Sequence, residues 1–142
     1  HMIQLQGTAV LFDASFSLGR GGPCCGEIPQ IALLPDGRVV VAVTDVDSGP
    51  LANILTTGYG WQGVGIVDTS SGLITPIDIT NGALITDVFN AMALAPDASK
   101  VYLGTYVSGT RGDIWEVPID GGNATIAATV PAGISNMTFD AA

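Results

Sequence analysis

After its first residue the chain contains no histidine, which removes the commonest general base. His1-Met2 reads as an expression scar and is set aside, so neither a Ser-His-Asp nor a Cys-His arrangement can be assembled within the chain. The groups left with chemical potential are oxygens, rings and two thiols. Tyr59 and Trp61, in Gly58-Tyr-Gly-Trp-Gln-Gly63, would form a stacking platform for a sugar or an apolar ligand, with ordinary loop packing as the competing reading. The same stretch has neither the spacing nor the following helix of a phosphate loop. Cys24 and Cys25 are adjacent, and a bond between neighbours strains the intervening peptide. They read as reduced or capped loop cysteines, or as one side of an intermolecular bridge; zinc would need further Cys or His. Asp45-Val-Asp47-Ser-Gly49 opens like a calcium loop but lacks the later ligands and the terminal Glu, so it reads as a turn with solvated carboxylates. Asp13, Asp68 and Asp120 each end an apolar run, 55 and 52 residues apart. Aspartate bonds the backbone of the turn it opens, which makes their expected role structural.

The elements that must position these groups are short strands. Of 142 residues, 47% are hydrophobic and only 12% charged, a balance opposite to disorder. The 19 Gly and eight Pro fall between apolar runs, as turns do between strands. A formal charge of −9 repels phosphate backbones, so nucleic acid is an unsuitable partner, and anionic membrane surfaces are disfavoured for the same reason. No apolar run approaches the ~18 residues of a membrane-spanning helix.

The pattern predicts strands over Thr8–Asp13, Ser15–Leu18, Ile31–Leu34, Val39–Thr44, Val64–Asp68, Leu73–Ile79, Phe89–Leu94, Lys100–Tyr106, Asp113–Ile119 and Asn123–Val130, with 19–30 and 45–63 as long loops. No ten-residue segment has a helical period; residues 80–91 are the best place for a single turn.

One phrase occurs twice. Ile31-Ala-Leu-Leu-Pro-Asp-Gly-Arg-Val-Val-Val-Ala-Val-Thr44 and Met92-Ala-Leu-Ala-Pro-Asp-Ala-Ser-Lys-Val-Tyr-Leu-Gly-Thr105 share residue classes in order, their prolines 61 residues apart. Met137-Thr-Phe-Asp-Ala-Ala142 begins it again. Repetition at this period marks stacked supersecondary units. Each unit is expected to be four short antiparallel strands, the size of a propeller blade. A sandwich with accidental repetition is the alternative.

Phe89–Thr105 followed by Gly112-Asp-Ile-Trp-Glu-Val-Pro-Ile-Asp-Gly-Gly122 resembles the repeats of NHL-type and gluconolactonase-like (senescence-marker-type) β-propellers, and the resemblance covers most of the chain. It implies an all-β fold of β-propeller blades, about 2.5–3 in this chain. The divisions are a partial blade over 3–27, a blade over 28–80, another over 88–133, and the start of the next over 134–142. The family holds a divalent cation in its central channel, and Asn90, six residues before Pro96, matches a family ligand position. The equivalent places are Pro29 and Ser135, which are not matches. Glu27, Gln30 and Asn136 lie nearby and offer oxygens suited to calcium. The implied metal set is Asn90, Glu27 and Asn136; Gln30 joins Trp61 and Tyr59 as a candidate ligand-binding set. Against this, Asn90 as a turn cap or a bond to the neighbouring blade is the plainer reading.

A ring usually needs four to eight blades. The expectation is therefore self-association, in which Ser135–Phe139 joins Ile3–Gln6, Thr8–Asp13 and Ser15–Leu18 of a second copy and a homodimer reaches six blades. The alternative is the missing remainder of a larger propeller. The function expected is a non-enzymatic binding or scaffold module, displayed outside the cytoplasm and binding through the loops at 19–30 and 45–63. The alternatives are a calcium-dependent lactonase-like hydrolase and a carbohydrate-binding propeller.

Overall fold

The computed structural model describes residues 2–6, 9–14, 20–21, 30–49, 51, 54–56, 60–85, 87–106 and 111–139. Strands and turns make up the described chain, with one 3-10 turn at Gly82–Leu84 inside the stretch expected to hold a single turn. The Pro-Asp phrase folds as expected, into a hairpin in each copy. In the first, Gln30–Leu33 (β4) pairs with Val39–Ser48 (β5). Asp36 closes the turn by accepting at Oδ1 from the Arg38 amide at 3.0 Å, and Gly37 takes a φ of +89°. In the second, Val88–Leu94 (β9) pairs with Lys100–Tyr106 (β10), and Asp97 Oδ1 accepts from both the Ser99 amide at 3.0 Å and its hydroxyl at 2.8 Å.

The two copies are nonetheless not superposable residue for residue. Leu33 faces Val39, with residues 34–38 between them; Leu94 faces Val101, with residues 95–100 between them. The second turn is one residue longer. A one-residue offset exchanges the two faces of a strand, so Val39, not Val40, is the structural counterpart of Val101. Ala98 stands in the second turn with φ +57°, the left-handed region that costs an L-residue roughly 1–2 kcal/mol. Ala98→Gly is expected to raise the melting temperature by about 2 °C, the strain relief being partly offset by the loss of a half-buried methyl. Differential scanning calorimetry checks it; a lower melting temperature would show that the methyl's packing outweighs the strain.

Among the described residues the strands form two large antiparallel sheets and a separate hairpin, Met2–Gln6 (β1) with Ala9–Ala14 (β2). The first large sheet contains Arg20–Gly21 (β3), β4, β5, Ile54–Thr56 (β6), Gly60–Val67 (β7) and Ile74–Pro76 (β8). Its centre is the long β5–β7 pair. β4 and β8 flank that pair beside the Pro-Asp turn, giving the expected four-strand meander; β3 and β6 flank it at the far end. The second sheet is a plain meander, β9, β10, Gly112–Pro118 (β11) and Thr125–Val130 (β12).

Three expectations are corrected here. Residues 45–63 are not one long loop: β5 runs on to Ser48, β6 adds an edge and β7 starts at Gly60. The register slips between Val43 and Val46, a bulge that hides the strand's period from the sequence. Asp45 and Asp47 consequently belong to a strand, not to a calcium-loop-like turn. The stretch Leu73–Ile79 is strand only over Ile74–Pro76.

Over Val39–Thr44 both faces of β5 are buried. Val39, Val41 and Val43 gather with Leu51 and Val67 on one side. Val40, Ala42 and Val64 meet Phe89, Val101, Leu103, Trp115 and Val117 of the second sheet on the other. At about 1.5–3 kcal/mol per fully buried large aliphatic or aromatic side chain, this seam is the principal source of cohesion between the sheets. Trp115 thus serves the core. After β8 the chain crosses the seam through Ile77, Ile79 and Ile85, also in this core, to reach β9, which packs beside β4 and β5.

The outer face of the second sheet receives residues 133–139. Ile134 is buried over Gly104 and Gly112, positions where a Cβ would stand 2.6 and 2.8 Å from its side chain. Phe139 meets the Tyr102 ring edge-on at 5.3 Å. Glycines at 104 and 112 make the trough into which the isoleucine fits.

Candidate functional site

The seam between the sheets has two ends, and each gathers polar groups. At the far end, away from the Pro-Asp turns, Gln62 of β7 is 1% exposed. Its Nε2 donates to the Asp87 carbonyl at 2.9 Å, and its Oε1 accepts from the Phe89 amide at 3.3 Å. One side-chain amide thereby satisfies two backbone groups at the entrance to β9. Asn81 performs the same operation elsewhere on the seam: Nδ2 donates to the Ala124 carbonyl at 2.8 Å and Oδ1 accepts from the Ala124 amide at 2.7 Å. Beside it the linker pairs with the β11–β12 turn, Gly122 donating to the Asp78 carbonyl at 2.8 Å and Thr80 to the Gly122 carbonyl at 3.0 Å.

Asp113, on β11, is the most enclosed carboxylate among the described residues at 5% exposure. Arg111 grips it bidentately through Nη2, at 2.8 and 3.0 Å, and Thr129 donates to Oδ1 at 2.6 Å. The buried Thr105 hydroxyl sits between the Asp113 amide and carbonyl at 3.2 and 3.1 Å. Bonded in this way, Asp113 holds strand ends together. Nearby Asp87 has its carboxyl raised above the ordinary range, first by partial burial and then by the Asp113 charge.

Asn90 is half-buried in β9 at a bulge: pairing steps from Ala91 opposite Gly104 to Phe89 opposite Thr105, leaving Asn90 without a register partner. Bulges re-aim side chains, and no hydrogen bond is made by its carboxamide among the described residues. Asn136 is exposed on the segment after β12, and Gln30 is half-buried at the start of β4. Trp61 lies in β7 opposite Val46 and Leu55, in a strand and not a loop. Glu27, Tyr59, Cys24 and Cys25 lie outside the described residues. The implied metal set is therefore represented by Asn90 and Asn136, which belong to different units, and among the described residues there is no group of three or more acidic, His or Cys side chains suited to a metal.

At the other end the two Pro-Asp turns lie side by side above the seam. Between them is a cleft in two lobes, with cavity volumes of about 330 and 510 Å³, sharing Leu34, Pro35 and Ala98. Asp36 holds Arg38 at 2.7 Å, and Asp120 lines the smaller lobe.

Of the three recurrent aspartates, Asp68 behaves as expected. Its Oδ1 accepts from the Ser70 amide at 2.8 Å, the Ser70 hydroxyl at 2.6 Å and the Ser71 amide at 3.2 Å. These bonds, the Ser70 hydroxyl's first, pull its carboxyl down to about 2. Asp120 differs: its turn is closed by the Gly121 amide on the Pro118 carbonyl and by the positive φ of Gly121. Because the folded value for Asp68 lies below the unfolded one, its contribution to stability is complete above about pH 4 and is lost as pH falls toward 2. Asp36 and Asp97, lowered by bonds from Arg38 and Ser99, act in the same direction. Asp87 acts oppositely, since neutralising it relieves its burial. Asp68→Asn should flatten the loss of melting temperature on acidification from pH 4 to about 2; an unchanged slope would mean the turn forms equally well without its charge.

No family model, curated protein or solved structure matches the chain.

Proposed function

We propose that the chain is a non-enzymatic binding or scaffold module built of β-propeller blades. The observation that carries this is the chain's course from unit to unit. It leaves the β8 edge of one four-strand meander, crosses the buried seam, and enters the next at β9, beside β4. Residues 133–139 leave β12 and lie over the next face in the same manner. Sheets stacked in this way are what radial blades require. The polar groups gathered on the seam support a structural role: Gln62, Asn81 and Asp113 are spent on bonds that tie segments of the chain together.

Completion of the ring by a second copy is the partner reading, motivated by the segment 133–139, which lies on a sheet face outside any strand. Sedimentation equilibrium at micromolar concentration tests it: a dimeric mass supports it and a monomer removes it. A calcium-dependent, lactonase-like hydrolase is the second reading, favoured by Asn90 at its bulge, whose carboxamide makes no hydrogen bond among the described residues. Millimolar calcium is expected to leave the melting temperature unchanged. A rise that disappears in Asn90→Ala would transfer the argument to the metal reading.

A further inference from the structure

We infer that the smaller lobe of the cleft between the Pro-Asp turns is a site for a small cationic amphiphile, an apolar body carrying an ammonium group. The inference deepens the binding-module reading, but the cleft is made by the two sheets alone and needs neither a closed ring nor a metal.

The chemistry follows from the walls. The floor is apolar: Leu34 and Ile119 are 4% and 9% exposed, and Ala98 packs against the same core. The volume, about 330 Å³, falls at the lower end of small-molecule pockets. The rim is acidic. Arg38 is committed to Asp36 through Nε and Nη2, both at 2.7 Å, while Asp68 and Asp120 also act on it through space. On the rim itself one guanidinium thus answers two carboxylates, those of Asp36 and Asp120. The Asp120 carboxylate accepts no hydrogen bond among the described residues, and it stands on the lobe's edge, next in sequence to Ile119 in its floor. An anion would be repelled by this rim and by a chain of net charge −9. A neutral apolar molecule would cover the floor without answering the surplus charge. An ammonium on an apolar body does both.

The probe is phenethylammonium, titrated into the ¹⁵N-labelled chain and followed by amide shifts. A ligand of so few atoms should bind at millimolar strength. Saturable shifts are expected for Arg38, Ala98, Ser99 and Asp120. Asp120→Asn, an exposed substitution outside the core, should weaken binding roughly three- to five-fold, as suits an exposed ion pair. The neutral 2-phenylethanol should bind more weakly than the amine, and 3-phenylpropionate more weakly still. No saturation by about 10 mM amine, equal binding of the alcohol, or an Asp120→Asn variant as avid as the parent would overturn the proposal. A negative titration leaves the ring-completion reading to the mass measurement, and a monomeric mass leaves this cleft intact, so the two failures are distinguishable.

Discussion

Gln62→Leu is expected to lower stability by roughly 2–4 kcal/mol, or the melting temperature by about 8–15 °C, although leucine nearly matches glutamine in volume. The loss is not one of packing. In the parent the Asp87 carbonyl and the Phe89 amide both find their partner in one buried side chain. With leucine there, two backbone groups at the start of β9 remain desolvated and unpaired, at about 1–3 kcal/mol each. Gln62→Glu separates this from a volume effect. At neutral pH a carboxylate can accept from Phe89 but cannot donate to Asp87, and it adds a charge near Asp87 and Asp113. Burial raises its folded pKa above the unfolded value, so the variant should approach the parent at low pH and fall behind as pH rises through that folded value. A Gln62→Leu chain that melts like the parent would show that the seam does not depend on this amide.

Gly65→Ala should cost about 3 kcal/mol, roughly 10 °C in melting temperature, for the opposite reason. Gly65 lies in β7 between Val41 of β5 and Pro76 of β8. An added methyl would overlap the Leu51 side chain and come within 2.9 Å of the Thr75 carbonyl oxygen and 3.3 Å of the Pro76 Cα. Leu51 is fully buried against Val39, Val41 and Val67, so it has no free volume to move into, and the other two atoms are sheet backbone. Leu51→Ala in the same chain should recover part of the loss, because the cavity it leaves accepts the new methyl. The double variant should therefore be more stable than the sum of the singles allows. Strict additivity would mean that Leu51 is not seated on Gly65.

The first experiment concerns the seam, where the sequence was least legible; the second concerns the opposite face of the first sheet. Gln62 stands among Trp61, Gly63 and Gly65 in a glycine-rich stretch, and a lone amide there reads as a loop or surface residue. Its burial depends on a sheet that begins more than twenty residues later. Asn81 is similarly inconspicuous, since its partner Ala124 lies 43 residues away. Asp113 carried a weak signal: an acid opening an apolar strand two residues after an arginine.

What the sequence determined unaided was local. Pro-Asp turns, strand alternation and the recurrence of one phrase follow from φ preferences and side-chain periodicity within a few residues, and they specified hairpins, an all-β class and repeating antiparallel units. Tertiary structure decided the rest. The ungapped match of the two copies concealed a one-residue difference in turn length, because 35–37 and 96–98 read alike although Gly37 and Ala98 close different turns. The strand character of 45–63 depended on partners β3 and β6 and on a bulge, which alternation cannot reveal. The seam's amides, the Ile134 trough and the cleft between the turns exist only where distant segments meet, and no pattern within a single strand encodes which segment will arrive opposite it.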